Sequence, residues 1–184
     1  MKQKLYAIGE ALIDFIPQEK GKRLKDVTGF VRVAGGAHAN VAGACAKLGG
    51  HAGLITQLGE DAFGDYIVEC CEKSGIDTSY ILRSADADTA LAFVSLAADG
   101  NRDFKFYRRS CADLMLSPDH IREEMLKDCG IVHFCSVSLV ESPMKHSHEK
   151  LIGLARKNKV LISFDPNLRF SLWEDLEVLK QTVW

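Results

Sequence analysis

A chain of 184 residues has room for one ordinary domain with at most a small appendage. Its 47% hydrophobic and 26% charged residues are those of a soluble globular protein and exclude a disordered or collagen-like chain. A formal net charge of −2 argues against nucleic acid or an anionic membrane as partner.

The longest nearly apolar run, residues 90–98, is far short of the ~20 residues of a membrane helix. Glu10 and Asp14 interrupt any signal-peptide core, so no cleaved leader is expected. Residues 5–8 and 12–16 read as strands, broken at Pro17, and residues 30–33 as a third. From 37 to 48 small residues dominate, predicting a closely packed helix that ends at Gly49-Gly50. Residues 52–58 predict a strand and 63–73 an amphipathic helix ending before Gly75.

Residues 90–96 and 103–107 flank Asp99-Gly100, a hairpin signal. Alternation in the second run puts Lys105 and Tyr107 on one face, Phe106 and Arg108 on the other. Beyond it the spacing predicts a helix over 118–126, capped by Ser117 with Pro118 at its first position. A buried strand at 131–135, a helix over 143–157, a strand at 160–164 and a helix over 174–180 follow. Strands alternating with helices predict an α/β fold with a mainly parallel sheet flanked by helices. The two hairpin-like blocks, about 12–34 and 90–108, do not share that rhythm and predict a small β lid.

The six cysteines form no C-x-x-C, and a reducing, cytoplasmic setting with free thiols is the expectation. The histidines show no metal-ligand spacing, so no metal site is expected from them. Gly35-Gly36, where a strand meets a helix, has two readings: a turn letting a small molecule approach free N–H groups, or a plain tight turn. It is neither a dinucleotide fingerprint nor a P-loop. Asp14, inside an apolar run, is either a solvent-facing edge residue or an acceptor for ligand hydroxyls. Asp165-Pro166-Asn167-Leu168-Arg169 follows what reads as a buried strand, at the carboxyl end where open α/β sheets bind ligands, or is simply a turn.

Several stretches taken together resemble the ribokinase-like (PfkB) carbohydrate kinases, most closely bacterial fructokinases. They are Gly9-Glu10-Ala11-Leu12-Ile13-Asp14-Phe15, Gly35-Gly36-Ala37-His38-Ala39-Asn40-Val41-Ala42 and Leu58-Gly59-Glu60-Asp61-Ala62-Phe63-Gly64-Asp65. Phe106-Tyr107-Arg108, Ala112-Asp113-Leu114, Phe164-Asp165-Pro166-Asn167-Leu168-Arg169 and Leu172-Trp173 complete the set, in order along the whole chain. His38 departs from the family's usual proline.

The resemblance implies an ATP-dependent kinase making fructose 6-phosphate from fructose. Asp14 and Asn40 would hold sugar hydroxyls, the Gly35-Gly36 backbone would lie against the sugar, Phe106 and Arg108 would cover it, and Arg169 would reach sugar or phosphates. It also implies a homodimer through the lid. The family's G-A-G-D motif, whose aspartate is the catalytic base, has no match here, nor has its magnesium-linked N-x-x-E motif. The base, and the ATP and Mg2+ sites, are therefore expected beyond Trp184, and the 184-residue chain alone is expected to be inactive. Potassium dependence, which some relatives show, is left open. A 2-keto-3-deoxygluconate or nucleoside kinase remains an alternative, as does, in another class, a non-catalytic sugar-binding fragment.

Overall fold

The computed structural model describes residues 4–96, 102–173 and 175–183. Its strands and helices, in chain order, are β1 (Lys4–Ile8), β2 (Leu12–Pro17), β3 (Phe30–Gly35), α1 (Ala37–Lys47), β4 (His51–Gly59), α2 (Ala62–Lys73) and β5 (Ile76–Ser84). β6 (Leu91–Leu96), β7 (Arg102–Tyr107), β8 (Cys129–Cys135), α3 (Pro143–Lys157), β9 (Leu161–Asp165) and α4 (Leu176–Val183) follow. Five strands form a wholly parallel sheet in the order β5-β4-β1-β8-β9. The other four form a separate mixed sheet in the order β3-β2-β6-β7. Two hairpins make up this second sheet, β2–β3 and β6–β7, joined through a parallel β2–β6 pairing. The Asp99-Gly100 turn lies outside the described residues.

Strand alternation divides the core. Tyr6 and Ile8 of β1 face one way and pack with Val132, Met144 and Leu151, which brings α3 onto that face. Ala7 faces the other way, with Leu54, Ala42 and Ile67, under α1 and α2. Helices thus cover both faces, as a parallel sheet requires. Small residues let α1 sit close: Ala42 is fully buried against the sheet. Among the described residues no helix is long and apolar enough to cross a membrane. All six cysteines are free thiols, and burial pushes Cys71 and Cys111 up to about 11 and Cys135 up to about 12.

Three expectations are corrected. Residues 118–126 are not one helix but two 3-10 turns, Pro118–His120 and Glu123–Leu126. Ser117 does cap the first, accepting from Asp119 N–H at 3.2 Å. Ile121 and Arg122 then run extended, which lets Ile121, Met125 and Leu126 all reach the core. Strand β5 was not expected: Asp77, Thr78, Ser79 and Arg83 break its apolar pattern, because it is an edge strand paired only with β4. The strand before Asp165, β9, is an exposed edge, with Leu161 at 68% accessibility.

Candidate functional site

The parallel sheet reverses its direction of growth beside β1. From β1 the chain adds β4 and β5 on one side, and β8 and β9 later take the other. Loops leaving β1 and β8 at their carboxyl ends therefore diverge, and the crevice between them is where open α/β sheets bind ligands. A cleft of about 290 Å³ lies there, enclosed on its far side by the second sheet. That volume is at the small end for ligand sites and suits one sugar ring better than a nucleotide.

The second sheet meets the cleft with alternate residues. Leu12, Asp14 and Ile16 of β2 line it, with Val94 of β6 and Phe106 of β7. The opposite face carries an aromatic cluster in which Phe15 stacks on Phe93 at 4.8 Å and Phe30 meets Phe93 edge-on. Register places Asp14 beside Ala92, and Ala92 beside Phe106. Asp14 and Phe106 thus share one row, two strands or ~10 Å apart along the sheet.

The floor comes from the β3–α1 turn. Gly36 has φ 104°, and a Cβ there would run into Glu10 O and Ala11 Cα, so the position takes glycine. Gly35 does not line the cleft; a Cβ on it would occupy the place of the Asp14 carboxylate. Its bareness makes room for Asp14 rather than for a ligand. Asn40, in the first turn of α1, faces the same cleft, as do Asn167 and Arg169 beyond β9. Asn167 has φ 35°, and its N–H donates to Asp165 Oδ1 at 3.0 Å, an Asx turn that reverses the chain here.

The structure brings Asp14, Gly36, Asn40, Phe106 and Arg169 together. Arg108 is displaced from its expected position: it is 7% exposed and absent from the cleft wall. Its Nε donates to Asp113 Oδ2 at 2.7 Å and its Nη1 to Val137 O at 2.7 Å. The strand ends at Tyr107, so strand alternation no longer holds at Arg108, which borders a neighbouring cavity that shares Phe106.

Glu10 was not singled out from the sequence, although it lines the cleft. Its Oε1 accepts from Ala37 N–H at 2.8 Å, so it caps α1 in place of Gly36, which has no side chain. Its Oε2 accepts from Ser138 Oγ at 2.9 Å and stands 2.6 Å from His38 Nδ1. Burial pushes the Glu10 carboxyl up, but the His38 ring, the Arg108 guanidinium and the Ala37 N–H outweigh it and hold the group below the usual carboxylate range. The available signal was the one that marked Asp14, an acid among apolar neighbours at a strand end.

His38, fully buried, replaces a pre-set helix start with a cross-link. Cys135 N–H donates to its Nε2 at 3.0 Å, which assigns the ring proton to Nδ1, on the Glu10 side. It ties the start of α1 to the end of β8. Among the described residues no group of three or more His, Cys, Asp and Glu could hold a metal ion.

Residues 2–183 match the family described as pfkB family carbohydrate kinase. A probable fructokinase-2 of Arabidopsis thaliana is 40% identical over 182 residues, 99% of this chain and 55% of the relative. A fructokinase from Xylella fastidiosa superposes with a TM-score of 0.88 at 36% identity, covering 99% of this chain and 57% of that one; it has also been solved with bound ATP. An uncharacterized sugar kinase from Pyrococcus horikoshii gives a TM-score of 0.89 at 35% identity, covering 97% and 58%. The chain thus spans about half the length of the curated relatives it matches. With its parallel sheet, its second sheet and its ordered motifs, the chain belongs to the pfkB family of carbohydrate kinases.

Proposed function

We propose that this chain carries the acceptor half of an ATP-dependent sugar kinase whose substrate is fructose, phosphorylated at its 6-hydroxyl. The observation that carries the reading is the convergence of Asp14, Asn40, the Gly36 backbone and Phe106 on one cleft sized for a sugar ring. The fructokinase relatives support the choice of sugar. Asp14 accepts hydrogen bonds from sugar hydroxyls, Asn40 both donates and accepts, and Phe106 covers an apolar ring face. The second sheet acts as a lid that excludes water, and Arg169 at the rim meets the sugar or incoming phosphate. The kinase works in the cytoplasm, where its thiols stay reduced.

Mg-ATP supplies the transferred phosphoryl group. The family's G-A-G-D motif has no match in these 184 residues, so the metal, the nucleotide and the catalytic base are assigned to the part of the fold that the relatives have in addition. The chain's own contribution is to bind and orient the acceptor. Isothermal titration of the 184-residue chain with fructose tests the reading: saturable binding that is weakened in Asp14→Ala supports it, and no binding by the folded chain overturns it.

A second copy is proposed to pair through the second sheet. Its outer edges, β3 and β7, have unpaired backbone, and Val31, Val33 and Tyr107 are exposed on them.

A further inference from the structure

The displaced Arg108 bears on which sugars the cleft accepts, and the following rests on the reading of that cleft as a sugar site. The cleft wall itself carries Glu10 and Asp14 and, at the rim, Arg169. A ligand carboxylate entering it meets two acids. A second cation, Arg108, does not line the cleft but reaches Glu10 through one intervening hydroxyl. Arg108 Nη2 lies 3.3 Å from Ser138 Oγ, which donates to the cleft-lining Glu10. Arg108 nevertheless gives its charge to Asp113: Nε and Nη2 stand 2.7 and 2.5 Å from Oδ2. Nη1 is held by Val137 O. All three guanidinium nitrogens are thereby occupied.

Asp113 is 1% exposed and sits in the 3-10 turn Ala112–Met115 that follows the β6–β7 hairpin. The turn is pinned independently, by Ala112 N–H on Asp88 O at 2.9 Å and by buried Leu116. A buried ion pair is a poor stabilising device, because desolvating both charges offsets their attraction, and apolar residues of similar volume do as well. What Asp113 does well is fix where the positive charge points.

We propose that Asp113 is a specificity-determining residue, which withholds Arg108 from the cleft and so makes the site select neutral sugars over sugar acids. Removing its charge while keeping its shape frees the guanidinium to face a carboxylate, the partner for which its fork geometry is suited.

The test compares fructose with gluconate and 2-keto-3-deoxygluconate by titration calorimetry on the wild type, Asp113→Asn and the double variant Arg108→Gln/Asp113→Asn. Asp113→Asn is expected to shift the ratio of affinities toward the acids by about tenfold or more, the scale of one charge-assisted hydrogen bond. The double variant, which has lost both charges, is expected to show no such gain. An unchanged ratio in folded Asp113→Asn, or an equal gain in the double variant, overturns the proposal.

A second arm needs no variant. The Arg108 Nε–Hε signal in the nitrogen-15 spectrum of the wild type should stay unmoved by gluconate. A shift there shows that Arg108 is not withheld and overturns the proposal. Absence of fructose binding with an unmoved Arg108 signal overturns the sugar-site reading and leaves the withholding of Arg108 standing.

Discussion

At the scale of single residues, the Asp14 carboxylate and the bare Gly35 beside it shape one wall of the cleft. Asp14→Ala should weaken fructose binding by ~1–3 kcal/mol, because hydroxyls desolvated in the cleft lose their acceptor; calorimetry measures it. Gly35→Ala should have a comparable effect without touching ligand, since its methyl group competes with the Asp14 carboxylate for space. A titration with unchanged affinity would mean that Asp14 has another rotamer open to it.

His148 controls a different property. It is fully buried, with Nδ1 2.8 Å from Met144 O and Nε2 3.0 Å from Ile8 O, and burial pushes it down to about 4 from an ordinary value of 6.5. Burial favours the neutral ring, whose single N–H serves one of the two carbonyls, over the charged ring that could donate to both, while the unfolded chain takes up a proton below about 6.5. Stability is therefore complete above that pH and falls as pH drops toward 4. His133 is shifted the same way by burial and adds to the same window. Urea midpoints measured from pH 7 to pH 4.5 should fall steadily in the wild type and less steeply in His148→Gln.

At the scale of elements, local signals succeeded where the chain's own chemistry sets the conformation. Helix α3 runs over Pro143–Lys157 as its pattern predicts, with Ser142 as cap and proline at the first position. The same signals at Ser117-Pro118 started a turn but could not sustain a helix, because Ile121 is drawn into the core. A cap can open a helix, while packing decides how far it runs. Helix α2 offers a measurable case. Asp61 Oδ1 accepts from Phe63 and Gly64 N–H at 2.9 and 2.8 Å, and its Oδ2 accepts from Thr89 N–H at 2.8 Å. It thus caps the helix and fastens it to the segment entering β6. Asp61→Ala should lower stability by ~1–2 kcal/mol in urea unfolding, toward the upper end for a cap because the tie to Thr89 goes with it.

At the scale of the whole molecule, the described residues form a cleft beside β1 and leave β9 at the edge of the parallel sheet. Leu161 and Ile162 of the edge strand β9 are exposed, in keeping with relatives nearly twice as long. In a coupled ADP-release assay with fructose and Mg-ATP, the 184-residue chain should give no turnover above background, while a chain extended to the length of the relatives should turn over. Loss of a general base alone lowers rates by ~10²–10⁴-fold, and on the proposed assignment nucleotide positioning is lost with it. Equal turnover from both chains would relocate the base into residues 1–184. Sedimentation should give a dimer for the extended chain, and charged substitutions at Val31 and Val33 should shift it to monomer.

What the sequence determined by itself was whatever period and local chemistry encode. Strand and helix alternation specified the α/β class, and the block around Asp99-Gly100 marked strands foreign to that rhythm. The order of short motifs located the glycine turn, Asp14 and Asn40, which the structure places on one cleft. Tertiary structure decided everything that depends on partners distant in the chain. Strand β5 became a strand because β4 supplied a ladder, despite its polar residues. Glu10 became a cap for α1 through a contact spanning 27 residues, and His38 a bolt to β8 across 97. Arg108 shows the limit most clearly. Alternation placed it on the face of Phe106, but the strand ends one residue earlier, and only the folded chain brings Asp113, Val137 and Ser138 around its guanidinium. A side chain's direction follows from the backbone period; its destination is set by the strongest partner within reach, and that partner is chosen by the fold.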